Sequence, residues 1–291
     1  MRRGFTVVEL LVAIAISGLI IGIMASLLLT SSRVFTTTKT VSDLKESARV
    51  GAMQLEWLFQ RWGTSTPCAD ANRCTQVMSC GDPGNFKYPP DSSLCITIRQ
   101  RNPCDEVWFY ANLYGLGFVD RLVSPSKVAV MSCRLYESPQ VNCYHIKRGG
   151  LWMRSDSGAP LIVRIRNLSK EGADCIDVSG TSNAQMDRNT DVLNGLYQGS
   201  NTFRLEIGDL LLRVPHRVHL FCQPNQRDNN RQWLYMEIED VAKNYCQRDT
   251  IRQPLFPVEE FHVVNMGNAV KVSVKYKEGD KTFTLERVYG R

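Results

Sequence analysis

The chain has 291 residues, 43% of them apolar and 22% charged, with a formal net charge of +6. This is the composition of a globular protein of one large or two small domains. The charge is spread along the chain, without the concentrated Lys/Arg stripe of a dedicated nucleic-acid binder, so no specific nucleic acid is expected as a partner.

Met1-Arg2-Arg3-Gly4 is short and basic, and from Phe5 to Thr30 the only charge is Glu9. At 1.5 Å per residue, residues 5–30 predict a helix about 39 Å long, enough to cross a hydrocarbon core of about 30 Å. The arginines precede the span, which places the N-terminus in the cytoplasm and the rest outside. A signal peptide has a shorter apolar region ending at a small-residue cleavage site. A plain anchor fits the length but leaves Glu9 unexplained. A carboxylate deep in a bilayer costs about 2.5–3.5 kcal/mol even on the lenient scale, so it calls for a partner.

Gly4-Phe5-Thr6-Val7-Val8-Glu9-Leu10 resembles the class III leader of type IV prepilins and pseudopilins. The resemblance implies a cut between Gly4 and Phe5 by a prepilin peptidase at the inner membrane. It also implies methylation of Phe5. Glu9 would then be the fifth residue of the mature chain and would pair with the N-terminal amine of a neighbouring subunit. The physical logic is that a carboxylate and an ammonium, each costly alone in lipid, offset each other when subunits stack in register.

The helical pattern continues. Val34, Val41, Ala48, Leu55 and Trp62 recur every seven residues, with Leu44, Gly51 and Leu58 as companions and charges between them. This predicts one helix over 5–62, amphipathic in its second half, stopped at Gly63-Thr64-Ser65-Thr66-Pro67. Only about four heptads are present and a glycine sits in the seam, which favours packing on the chain's own domain over a coiled-coil dimer.

The expected organisation is a leader at 1–4, a helix at 5–62 and a β-rich globular domain at 63–291. Ten cysteines lie at 68, 74, 80, 95, 104, 133, 143, 175, 222 and 246, an even set without the CxxC spacing of zinc or redox motifs. Cys68, Cys74, Cys80, Cys95, Cys104, Cys133, Cys143, Cys175, Cys222 and Cys246 are therefore read as disulfide candidates of an oxidising compartment, with the pairing open. Cys68 to Cys95 is rich in turn residues and reads as a stapled loop.

Short β-like runs follow: Leu94–Arg99, Glu106–Ala111, Lys127–Tyr136, Leu161–Arg166, Thr202–Ile207, Arg217–Phe221, Trp233–Ile238, Glu259–Val264, Ala269–Tyr276 and Thr282–Val288. Val270, Val272, Val274 and Tyr276 alternate with polar residues, and Glu278-Gly279-Asp280 turns the chain into a final hairpin strand. Gly180–Ser200 reads as a polar surface loop. The fold class is α+β: a long N-terminal helix, transmembrane in its first half, packed on a disulfide-rich antiparallel β domain. Met53–Gly63 and the hairpin after Val258-Glu259-Glu260-Phe261 are similar to the PilW family of minor pilins and to J-type minor pseudopilins of type II secretion.

Catalytic chemistry is not legible. There is no G-x-S-x-G, Walker A or H-E-x-x-H motif, and Gly115-Leu-Gly117-Phe-Val-Asp120 reads as a turn. His216 and His219, three apart in a strand, point to opposite faces and do not converge on a metal. Asp187, Asn189 and Asp191 alternate like the start of a calcium loop. Val192 stands where the glycine belongs and Gln198 where the glutamate belongs, so a polar loop competes with calcium there. No cofactor and no enzymatic activity is expected. The expected function is a minor pilin that helps assemble or cap a type IV pilus, with other pilins and the prepilin peptidase as partners. It would sit in the inner membrane before assembly and on the cell surface after it. The alternatives are a minor pseudopilin of type II secretion, working in the periplasm, and a non-assembling anchored binding protein.

Overall fold

A computed structural model describes residues 7–69, 72–84, 86–113, 115–124, 127–133, 142–155, 158–166, 181–186, 205–241 and 250–290. Helix α1 spans Val7–Gln60, 54 residues and about 81 Å. It continues through the threonine-rich stretch, where hydroxyls bond back into the helix: Thr30 and Thr37 donate to the carbonyls four residues earlier at 2.9 Å each. The helix tightens at its end, with Arg61 N–H donating to Leu58 O and Trp62 N–H to Phe59 O. It thus stops two residues earlier than the expected Trp62, which pairs as a bridge with Ala111 and donates from Nε1 to Cys95 O at 3.1 Å. Gly63 takes φ +72° and sits against Ser93 and Leu94, so the stop requires a glycine.

Among the described residues fifteen strands follow: β1 (Ile96–Arg99), β2 (Glu106–Ala111), β3 (Leu116–Ser124), β4 (Lys127–Cys133), β5 (Asn142–Arg148), β6 (Leu151–Trp152), β7 (Ile162–Arg166), β8 (Thr181–Met186), β9 (Leu210–Arg213), β10 (His216–Asn225), β11 (Arg231–Asp240), β12 (Ile251–Pro257), β13 (Glu260–Asn265), β14 (Ala269–Glu278) and β15 (Lys281–Gly290). They form three antiparallel sheets. A five-stranded sheet has the order β1-β2-β10-β11-β12, and a three-stranded sheet the order β13-β14-β15. The second half of α1 packs between these sheets. Leu44, Ala48, Leu55, Leu58 and Trp62 share one core with Phe109, Val218, Leu234, Val272 and Val274. Phe59 stacks on Phe109 of β2 at 5.4 Å and on Tyr289 of β15 at 4.6 Å, tying the helix to both sheets. The expected seam member Val34 is 60% exposed, because the sheets begin to cover the helix only near Thr40.

Asp105 staples the two sheets. Its buried carboxylate accepts from Val263 N–H at 2.9 Å and from Arg101 N–H at 3.1 Å, while Asp105 N–H donates to Phe261 O. Disulfides Cys68–Cys74 and Cys80–Cys95 hold the loop between α1 and β1, and Cys104–Cys222 joins the β1–β2 connection to β10. Cys143 is disulfide-bonded as well. The pairings of Cys133, Cys175 and Cys246 lie outside what is described.

The third sheet, β6-β5-β7-β8-β4-β3-β9, is built wholly from residues between β2 and β10. β5 pairs with β9 as well as β7, so six of its strands close into a ring. Ala111 and His216, at the two ends of this insertion, are themselves paired. Three expectations fail in this lobe. Residues 116–120 are strand, not turn, because β3 is held between β4 and β9. Thr181–Met186 is strand β8 inside the expected loop; its sequence has no apolar alternation, and the strand pairs with β4 and β7. Leu205–Ile207 is not strand: the Asp209 carboxylate accepts from Glu206 N–H at 2.8 Å and bends the chain before β9.

Candidate assembly site

Glu9 lies in the first turn of α1, exposed, where the partial positive charge of the helix N-terminus favours a carboxylate. Gly4 and Phe5, the expected cleavage and methylation positions, lie outside the described residues. Around and beyond Glu9 the helix is apolar on every side. An 18-residue window of it reaches mean hydropathy 2.6, and none of that window is buried. Leu10, Ile14, Ile21, Leu28 and Phe35 are all more than 55% exposed, apart from any surface of the chain itself. Such a surface is stable only in lipid or against other apolar helices.

The half of α1 that rests on the sheets is two-sided. Its inner stripe is buried, whereas Val50, Met53 and Trp57 fall on the opposite side, 41%, 62% and 38% exposed. The Arg61 guanidinium lies 4.4 Å from the centre of the Trp57 ring. This outer stripe was absent from the seven-residue seam. It is visible in the sequence only as a second apolar phase half a turn away from the first.

Elsewhere the described residues offer less. On the outer face of the five-stranded sheet Trp108, His219, Phe221 and Tyr235 stack in a row, with centroids 4.3, 4.6 and 5.9 Å apart. Burial, then Arg217 and three further guanidiniums, pull His219 down to about 4, so it stays neutral at pH 7. His216 is buried on the opposite face, so the two histidines diverge as their spacing requires. A cleft of about 960 Å³ lies between the helix end and the inserted lobe, lined by Arg61, Thr64, Asn112, Leu116, Lys147 and Trp152 among others. His145, buried on β5 of the lobe, bonds Leu161 O at 2.9 Å and the Tyr88 hydroxyl at 2.5 Å; burial lowers it to about 4. Among the described residues no group of three His, Cys, Asp or Glu side chains is placed to hold a metal. Asp187, Asn189 and Asp191 lie outside the described residues.

Residues 1–25 match the prokaryotic N-terminal methylation motif. A protein of Aquifex aeolicus (strain VF5), described as uncharacterized, is 27% identical over 261 residues, covering 89% of this chain and 84% of its own, so the likeness extends far beyond the leader. No solved structure matches the chain. The leader motif implies processing by a prepilin peptidase and membrane association through the apolar helix that follows it. The motif at residues 1–25, leading into an apolar helix that carries antiparallel sheets, supports a type IV pilin-like protein.

Proposed function

We propose that this chain is a minor pilin, a structural subunit of a type IV pilus and not an enzyme, that serves in assembly or at the tip. The observation that carries this reading is the methylation motif running into a helix whose apolar first half is entirely uncovered, while the second half is fixed to a bulky globular part. A helix of this kind passes from lipid into a bundle of like helices, and Glu9 is the group that sets its register there. Arg2 and Arg3 before the span, and bridges such as Cys80–Cys95 and Cys104–Cys222 after it, support a globular part outside the cytoplasm. A globular part of this bulk is awkward in a thin filament where every copy must stack closely. It fits a position held by a few copies.

The test is peptide mass spectrometry on filaments sheared from the cell surface, with and without Glu9→Ala. The expected result is a peptide beginning at methylated Phe5 in the filament fraction, reduced at least tenfold by Glu9→Ala while the membrane fraction keeps the chain. A processed peptide confined to the membrane fraction would instead assign the chain to a secretion pseudopilus. An uncut N-terminus would reduce the segment to an anchor.

A further inference from the structure

A sheet edge is a row of unsatisfied backbone donors and acceptors, and stable proteins blunt such edges. Here almost all are blunted. β1 is four residues long and Ile96 N–H is taken by Met78 O. β12 carries Pro254 and Pro257, which remove donors from its rim. The rim of β13 is bonded to Pro103 and Asp105. The third sheet closes on itself, leaving only the two-residue β6.

β15 is the exception. It has ten residues without proline, pairs with β14 along its whole length, and among the described residues no other segment bonds its far side. Register places Phe283, Leu285, Arg287 and Tyr289 on the same face as Tyr276, Val274, Val272 and Val270, the face that meets α1. The helix covers this row only in part: Phe283 is 42% exposed. Arg287 meets no carboxylate among the described residues and bonds only the Glu286 carbonyl, at 3.3 Å.

The direction of β15 decides what can sit beside it. Gly279, in the turn that leads into it, lies near Thr40, and Tyr289, near its end, stacks on Phe59, so β15 runs alongside α1 in the same direction. Antiparallel pairing with a second copy would point the two membrane helices in opposite directions. Parallel pairing of the same two edges would turn the inner rows to opposite faces, leaving both uncovered. We infer that β15 is a docking edge for an extended strand of a different pilin-like subunit, which continues the three-stranded sheet. That strand carries apolar side chains at alternate positions on the α1 face, with an acidic residue opposite Arg287. Backbone bonds supply the attachment and the half-covered row supplies selectivity. The inference rests on the assembly reading, since a neighbour whose helix lies on α1 is brought alongside β15.

The experiment places the photo-crosslinking residue p-benzoylphenylalanine singly at positions 284, 286 and 288 of the full chain in cells that assemble filaments, with position 151 on the inserted lobe as control. Three exposed positions guard against one that fails to fold. The expected result is crosslinks from β15 to residues two apart in one segment of another chain with a methylation motif, none from position 151, and a fivefold or greater loss with Phe283→Lys. Crosslinks scattered without that spacing, or made only to a second copy, overturn the inference; so does their absence while the chain is still found in filaments, which leaves the assembly reading standing. If the chain is neither crosslinked nor in filaments, both readings fail. Spaced crosslinks without filament incorporation support the docking edge alone.

Discussion

Gly51 sets how closely α1 approaches the three-stranded sheet. A Cβ built there would stand 3.1 Å from the Phe256 ring and closer still to the Tyr276 hydroxyl. That hydroxyl is buried and has no hydrogen-bond partner among the described residues. Gly51→Ala should therefore destabilise the chain by about 1–3 kcal/mol despite the higher helix propensity of alanine, because the core cannot yield. Tyr276→Phe removes the unsatisfied group and should be neutral or stabilising by up to about 1 kcal/mol. The double variant should recover most of the loss. Thermal unfolding of the four detergent-solubilised proteins would show it, and simple additivity would mean that the two residues do not meet as described.

At the scale of elements, the helix and the strands beneath it were the readable part. Leu44, Ala48, Leu55 and Leu58 announce the buried stripe by their spacing, and Val270 to Tyr276 announce β14 by alternation, since each has one wet and one dry face. The inserted lobe was not readable in the same way. β8 has no apolar alternation and β3 is interrupted by Gly117, so their pairing depends on long-range closure rather than on local pattern. The leader and Glu9 stood out because a lone acid in an apolar run is conspicuous. The bare edge of β15 did not, because which strand ends up at a rim is a property of the sheet order. For the helix, Leu55→Asp is the decisive change. Leu55 is 1% exposed in the shared core, and burying an unpaired carboxylate there should unseat the helix, lower the chain's abundance in membranes and expose the sheets to protease. Unchanged abundance and protease resistance would show that the sheets hold together without α1.

At the scale of the whole molecule, Cys104–Cys222 encloses the entire inserted lobe, with a sequence separation of 118 between the two cysteines. Loops of that length gain the most from a crosslink in the chain-entropy account, so removing the bridge with Cys104→Ser and Cys222→Ser together should cost about 2–4 kcal/mol. The check is a lower urea midpoint of the full chain, with a steeper slope because the uncrosslinked denatured chain exposes more surface. A midpoint that does not move would mean that Asp105 and the shared core already fix this junction. The pairing of Ala111 with His216 has a further meaning. The lobe leaves and rejoins the frame at one hydrogen-bonded rung, so the frame's ladder is continuous whatever lies beyond that rung. The helix and its two sheets act as a socket that is closed at that rung, and the ring of strands is a fitting attached to it there.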